Sequence, residues 1–137
     1  MSELETVCAC GSRVPYGQCC ELYHNGRKTP LTAVDLMRSR YSAFVYAKID
    51  YLTETTLPAK RTADIKDRYQ LTCDSIHWID LEVVDVSQGS FSDKVGSVEF
   101  KASYTEEGRI KIHHECSRFH RKAGRWYYVD GVLKNAR

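Results

Sequence analysis

Four cysteines near the start of the chain have the type and spacing of metal ligands. Cys8, Cys10, Cys19 and Cys20 form a C-x-C-x8-C-C pattern. Thiolates are favoured ligands of structural zinc, and four of them at tetrahedral corners close the coordination sphere. The loop between the two pairs is long enough to let both reach one ion. A disulfide reading competes, but adjacent cysteines such as Cys19 and Cys20 do not readily bridge each other. The opening residues MSELETVCAC contain no apolar core of a secretory signal. A reducing, cytoplasmic setting is therefore expected, where clustered cysteines are more often metal ligands than disulfides. The expected cofactor is one zinc ion in a structural role, because four protein thiolates leave no position for water. His24, four residues after Cys20, is the alternative fourth ligand in place of Cys20.

A second group of chemically able residues lies near the other end. Glu115, Ser117 and Phe119 fall on one face of a strand, and Trp126, Tyr128 and Asp130 on one face of the next. If both faces turn inward they form a small polar-aromatic pocket. Glu115, Ser117, Trp126, Tyr128 and Asp130 are the candidate lining. A buried carboxylate with a raised pKa would be a candidate general base. The plainer alternative is a structural Glu115 satisfied by tyrosine hydroxyls or by Arg38 or Arg40. No catalytic residue is assigned, and a non-enzymatic protein is expected.

The other reactive side chains point to plainer roles. His113 and His114 are adjacent in a strand, so they face opposite ways and do not share a metal. They are expected, with His77 and His120, at the surface or an interface. Cys73 and Cys116 stand alone and read as small buried hydrophobes. Arg38-Ser39-Arg40 reads as an ion-pairing helix face, with a phosphate site as the sharper alternative. Arg118, Arg121, Lys122 and Arg125 gather beside Trp126 and Tyr127. They read as a solvated hairpin end, or as a contact for RNA.

These residues need elements to position them. The chain has 137 residues, of which 42% are hydrophobic and 11% aromatic, enough for one packed domain with a small appendage. No stretch approaches the roughly 20 apolar residues of a membrane helix, so no membrane partner is expected. The formal charge is +2. A dication held by four thiolates would cancel it, which weakens any reading as a delocalised nucleic-acid binder. Residues 1–28 form the knuckle, rich in turn formers. Residues 29–137 form the main domain. Thr32-Ala33-Val34-Asp35 starts a helix like a capping box, with Leu31 and Leu36 placed as a staple. Val34, Met37, Tyr41 and Phe44 give it one apolar face. Shorter helices are predicted from Asp50 to Leu57-Pro58 and from Thr62 through Tyr69 and Thr72. The remainder is strand. Ile79, Leu81 and Val83 alternate, and Val84 and Val86 continue out of phase, the mark of a bulge. Val98, Phe100, Ala102 and Tyr104 alternate next, then Arg109 to His120, then Trp126 to Val129, ended by Asp130-Gly131. Helices followed by hairpins predict an α+β fold with helices on one face of a curved antiparallel sheet.

Three motifs carry a family resemblance. Cys8-Ala9-Cys10-Gly11-Ser12 with Tyr16 and Cys19-Cys20 resembles the SEC-C zinc motif, named for the C-terminus of the SecA translocation ATPase. Leu36-Met37-Arg38-Ser39-Arg40-Tyr41-Ser42-Ala43-Phe44 is similar to the YchJ family of bacteria. So are Glu115-Cys116-Ser117-Arg118-Phe119 and Gly124-Arg125-Trp126-Tyr127-Tyr128-Val129-Asp130-Gly131. The resemblance implies a SEC-C knuckle followed by a nuclear-transport-factor-2-like (NTF2-like) domain, a cone of three helices on a bent sheet. It implies no particular activity. SEC-C motifs usually carry Gly-Lys-Lys after Cys-Gly-Ser, where this chain has Arg13-Val14-Pro15. Many members also carry a second C-terminal knuckle, which this sequence lacks up to Arg137. Three functions follow as expectations. The favoured one is a zinc-binding adaptor that meets a protein partner through the knuckle, by analogy to SecA. The second is a ligand-binding or enzymatic cone. The third is an accessory protein of nucleic acid or the ribosome.

Overall fold

The computed structural model describes residues 7–134. The first six residues of the 1–28 span and the last three of the 29–137 span lie outside them. A short helix α1 (Cys20–His24) closes the knuckle. Helices α2 (Ala33–Val45), α3 (Ile49–Glu54) and α4 (Ile65–Ser75) follow, and short 3-10 turns lie at Tyr16–Gln18 in the knuckle and at Pro58–Lys60 between α3 and α4. Four strands complete the chain: β1 (His77–Gln88), β2 (Val95–Glu106), β3 (Arg109–Lys122) and β4 (Arg125–Leu133). They form one antiparallel meander in sequence order. The order matches the predicted α+β plan.

Helix α2 starts where its capping signal places it and α3 one residue before Asp50, while α4 starts at Ile65 rather than Thr62. The Thr32 hydroxyl accepts the Asp35 amide at 3.1 Å and caps α2. The staple does not form: Leu36 is fully buried, but Leu31 is 67% exposed. Leu31 serves through its backbone instead, accepting the Trp126 indole N–H at 3.2 Å. Helix α2 is buried on more than its predicted apolar stripe. Ser39, Arg40 and Ser42 are also buried, because His24 of the knuckle covers Ser39 and Ser42 while α3, α4 and β4 close over Arg40.

The main core lies between α2 and the sheet. Ala33, Leu36, Met37, Val98, Phe119 and Trp126 are its buried members. A second cluster of Ala43, Tyr51 and Leu52 binds the helices to each other. Two features of the sheet depart from the simple alternation. The β1–β2 register shifts between Trp78 and Asp80 and again between Val83 and Asp85. The second shift is the bulge expected at Val84. The first turns Ile79 outward, 53% exposed, and puts Trp78 on the cavity wall instead. The third shift, in β3–β4, is decisive for the site. Arg118 pairs with Asp130 and Phe119 pairs with Tyr128, so Val129 is an extra residue. Strand β4 also runs on to Leu133, beyond the predicted end.

Candidate functional site

The knuckle gathers its sulfurs as the spacing requires. The Sγ atoms of Cys8, Cys10, Cys19 and Cys20 all lie within 4.8 Å of one another. Cys10 and Cys19 are 3.6 Å apart. Tetrahedral corners at a metal–sulfur distance of about 2.3 Å are roughly 3.8 Å apart, so the four thiols fit a single ion. The Ser12 hydroxyl lies 3.1 Å from the Cys19 sulfur and can donate to it as a thiolate. Among the described residues this is the one such cluster of potential ligands.

His24 is not the fourth corner. Its Nδ1 lies 2.7 Å from the Tyr16 hydroxyl and its Nε2 2.9 Å from the Ser39 carbonyl. A carbonyl only accepts, so Nε2 carries the proton and Nδ1 accepts from Tyr16. Both ring nitrogens are used in tying the knuckle to α2, and burial lowers the imidazole below its ordinary value. Arg38 adds a bond to the Cys10 carbonyl at 2.7 Å, and Tyr46 accepts the Ala9 amide at 3.3 Å. The Tyr16 and Tyr46 rings meet at 4.1 Å. The knuckle is thus docked along α2, with Gly11, Ser12, Arg13 and Val14 left exposed on its outer loop.

A separate cavity of about 370 Å³ opens between the helices and the inner face of the sheet. Its wall is mainly apolar and aromatic, including Phe44, Trp78, Phe100 and Phe119. Three of the five sequence candidates do not share one fate with the other two. Glu115, Ser117 and Tyr128 line the cavity. Trp126 points inward but sinks into the core beneath it, 3% exposed. Asp130 faces the other way, because the extra residue Val129 reverses the alternation after Tyr128. It forms a two-pronged pair with Arg118 on the outer face, at 2.7 and 2.6 Å.

Glu115 is held by neighbours other than those expected. His113 Nε2 lies 2.6 Å from its Oε1, the Ser117 hydroxyl 2.7 Å from Oε2 and the Tyr128 hydroxyl 3.3 Å from Oε2. Neither Arg38 nor Arg40 bonds it. Burial works to raise its pKa, but the bonds from His113, Ser117 and Tyr128 and the charge of His113 outweigh that and leave it below the ordinary value. Glu115 is therefore a carboxylate, and the reading of it as a base with raised pKa is corrected. Gly131 makes its place. A Cβ there would fall inside the Glu115 carboxyl group.

Arg40 stands across Tyr128 from this carboxylate. It is 6% exposed and has no carboxylate partner among the described residues. It donates instead to the Leu52 carbonyl at 2.8 Å, the Thr55 hydroxyl at 2.7 Å and the Tyr69 hydroxyl at 3.0 Å. Its guanidinium lies 4.6 Å from the centre of the Tyr128 ring. Burial opposes ionisation of Tyr69, yet Arg40 and the bond to Thr56 hold its phenol below the ordinary value. The ion-pairing reading of Arg38-Ser39-Arg40 gives way to cations satisfied by carbonyls and hydroxyls.

Sequence reasoning missed His113, Trp78 and Tyr69. His113 was findable, since it lies two residues before Glu115 on the same strand face. Trp78 carries the most telling atom. Its Nε1 is buried without a hydrogen-bond partner, alone among the buried side-chain polar atoms of the described residues. On the outer face, His114 bonds Glu99 at 2.7 Å, and Arg121 donates to the Asp93 carbonyl at 2.7 Å. Two of the four residues in the basic cluster, Arg118 and Arg121, are thus already engaged.

The depressed pKa of Glu115 gives a pH test. A lowered folded-state pKa contributes stability above the unfolded value, lost as pH falls through the lowered one. At neutral pH, Glu115→Gln should cost roughly 1–3 kcal/mol. The gap between parent and variant should narrow as pH falls below 4.5, the ordinary value. Denaturant melts across that range check it, and the knuckle is common to both proteins. A gap independent of pH would contradict the charged assignment.

Comparison with known proteins places these features in a family. Residues 32–131 match the family described as "YchJ, middle NTF2-like domain". A "UPF0225 protein" of Vibrio parahaemolyticus is 40% identical over 130 residues, covering 95% of this chain and 77% of the relative. Another, of Geobacter sulfurreducens, is 36% identical over 128 residues, covering 93% of this chain and 80% of the relative. The solution structure of a SEC-C motif containing protein from Rhodopseudomonas palustris is similar with a TM-score of 0.84 and 32% identity. It covers 93% of this chain and 98% of its own. A SEC-C motif protein from Psychrobacter arcticus, known from a crystal structure, gives 0.78 and 30%, covering 99% and 86%. With its cysteine knuckle, its helices on a four-stranded meander and this match over most of its length, the chain belongs to the YchJ family.

Proposed function

We propose that this protein binds a small, flat, largely apolar molecule in the cone, and that the knuckle is a structural zinc site that braces α2. The observation that carries the reading is Trp78, whose ring lines a mainly apolar cavity while its Nε1, closed off from solvent, has no hydrogen-bond partner. A buried donor without an acceptor costs about 1–3 kcal/mol, and native folds rarely leave one unexplained. A ligand acceptor, met by a small turn of the Trp78 ring toward the cavity, would relieve it. Pockets of this size, apolar with a few placed polar groups, are the usual form of small-molecule sites. Zinc fits the knuckle because four thiolates suit a soft, closed, tetrahedral centre with no chemistry of its own. Cytoplasmic residence belongs to the same reading, since reduced thiols are needed.

The adaptor reading keeps one observation in its favour, the exposed loop Gly11 to Val14. The opposite side of the knuckle is spent on α2, and that loop is the exposed stretch beside the cysteines that a protein partner could meet.

A thermal-shift screen tests the ligand reading with planar molecules that carry one acceptor group. Hits should raise the melting temperature of the parent. Trp78→Phe keeps an aromatic wall and removes the donor, so hits should bind it about tenfold more weakly, the worth of one hydrogen bond. A screen in which nothing binds, or in which Trp78→Phe binds every hit equally, contradicts the reading.

A further inference from the structure

The pair His113 and Glu115, bonded at 2.6 Å, faces the cavity. We propose that His113 is a general base acting on a ligand bound there, with Glu115 as its positioning residue. This rests on the ligand-binding reading of the same cavity.

The tautomer follows from the geometry. Glu115 is an acceptor, so the 2.6 Å contact requires the proton on His113 Nε2. In the neutral ring the lone pair then sits on Nδ1, which has no hydrogen-bond partner among the described residues. A carboxylate behind an imidazole fixes the ring and favours the imidazolium that forms when the ring takes a proton. Ser117 and Tyr128 in turn hold the carboxylate, and Gly131 leaves it room. The ring is set by aromatic neighbours, 6.1 Å from Trp78 and nearly perpendicular to it, and 5.9 Å from Phe100. The His113 and Trp78 rings therefore border one space.

That arrangement suits proton removal from an acidic C–H conjugated to an acceptor atom. Nδ1 takes the proton. The C–H bonding pair moves into the ligand, and the charge settles on the acceptor, where the Trp78 N–H can bond it. The imidazolium later returns its proton to the ligand or to water. No oxidant, reductant or second substrate is needed. The other titratable groups lining the cavity are Arg40 and Tyr41 from α2, Tyr69 from α4, Glu115 from β3 and Tyr128 from β4. Strands β1 and β2 contribute none to the lining.

A nitro-substituted benzisoxazole is a probe of suitable shape. A base removes its ring C–H proton, the electron pair forms the nitrile, the N–O bond breaks, and the oxygen leaves as a coloured phenolate. The parent should open it on the order of 10²-fold faster than free imidazole at equal concentration. His113→Ala and His113→Gln should both fall to the imidazole rate. Glu115→Gln should lower kcat and leave KM near the parent's, because Glu115 acts through the ring it positions. Long-range proton–nitrogen spectra of the parent should show the neutral ring protonated on Nε2. If calorimetry shows the probe bound but opened no faster than by imidazole, the base proposal fails and the ligand reading stands. A probe that does not bind at all counts against both. A ring protonated on Nδ1 overturns the proposal whatever the probe does.

Discussion

Stripping the metal will unfold the knuckle and leave the sheet intact. Residues 7–28 have almost no core apart from Cys8, Cys10 and Cys20, whose burial comes from crowding around a common centre. Metal binding to such a unit supplies on the order of 10 kcal/mol, which is more than its own packing can replace. The β-meander and the cluster around Phe119 and Leu36 have no ligand in the knuckle and should survive. The docking contacts define the edge of the effect. Arg38 loses the Cys10 carbonyl, and the Ser39 carbonyl loses His24. Amide spectra with chelator should therefore lose the signals of residues 7–28, shift those of α2 near Arg38 to Ser42, and leave β2 and β3 in place. Elemental analysis of the untreated protein should give about one zinc per chain, and Cys10→Ser should give none. Full metal retention in Cys10→Ser would break the assignment of the ligand set.

Gly131→Ala should do more harm than a surface change of one methyl group suggests. The new Cβ would occupy the space of the Glu115 carboxyl. The carboxylate would have to leave His113, Ser117 and Tyr128, and a buried charge without its partners is costly. The expected loss is at least roughly 1–3 kcal/mol, and more for the charged group. The cavity would change with it, so ligand stabilisation should vanish. A double variant separates cause from accident. Glu115→Ala with Gly131→Ala removes the clash, so the two costs should be strongly non-additive in denaturant melts. Additive costs would mean that Gly131 matters for some reason other than Glu115.

Much of this was open to reading in the sequence, and the failures have physical causes. The cysteines were legible because ligand type and spacing alone bring them together. The meander was legible because Val98, Phe100, Ala102 and Tyr104 alternate, and because Glu107-Gly108 can take the positive φ values, 53° and 78°, that a tight hairpin requires. The placement of Asp130 was not legible. One extra residue, Val129, turns it to the outside, and nothing in Tyr128-Val129-Asp130 announces a bulge. The same error of phase hid Trp78 behind Ile79. Arg40 was visible on its helix, but its partners come from α3, α4 and β4, and no local pattern predicts which acceptors will face it. His113 was lost differently. The alternation that put Glu115 inward puts His113 inward too, so its expected place at the surface or an interface is corrected to the cavity wall, where it pairs with Glu115.

The two tryptophans of the chain supply the most direct test of the cavity as a ligand site. The Trp126 indole N–H is bonded to the Leu31 carbonyl inside the core and serves as an internal reference. The Trp78 ring lines the cavity, and its indole N–H is buried and unpartnered, free to gain a partner by a small turn of the ring. Its proton resonance should be followed while planar molecules with one acceptor group are titrated in. The account predicts that a binding molecule moves the Trp78 signal downfield, as a hydrogen bond forms, and leaves Trp126 in place. A molecule that binds tightly while the Trp78 signal stays fixed would contradict it.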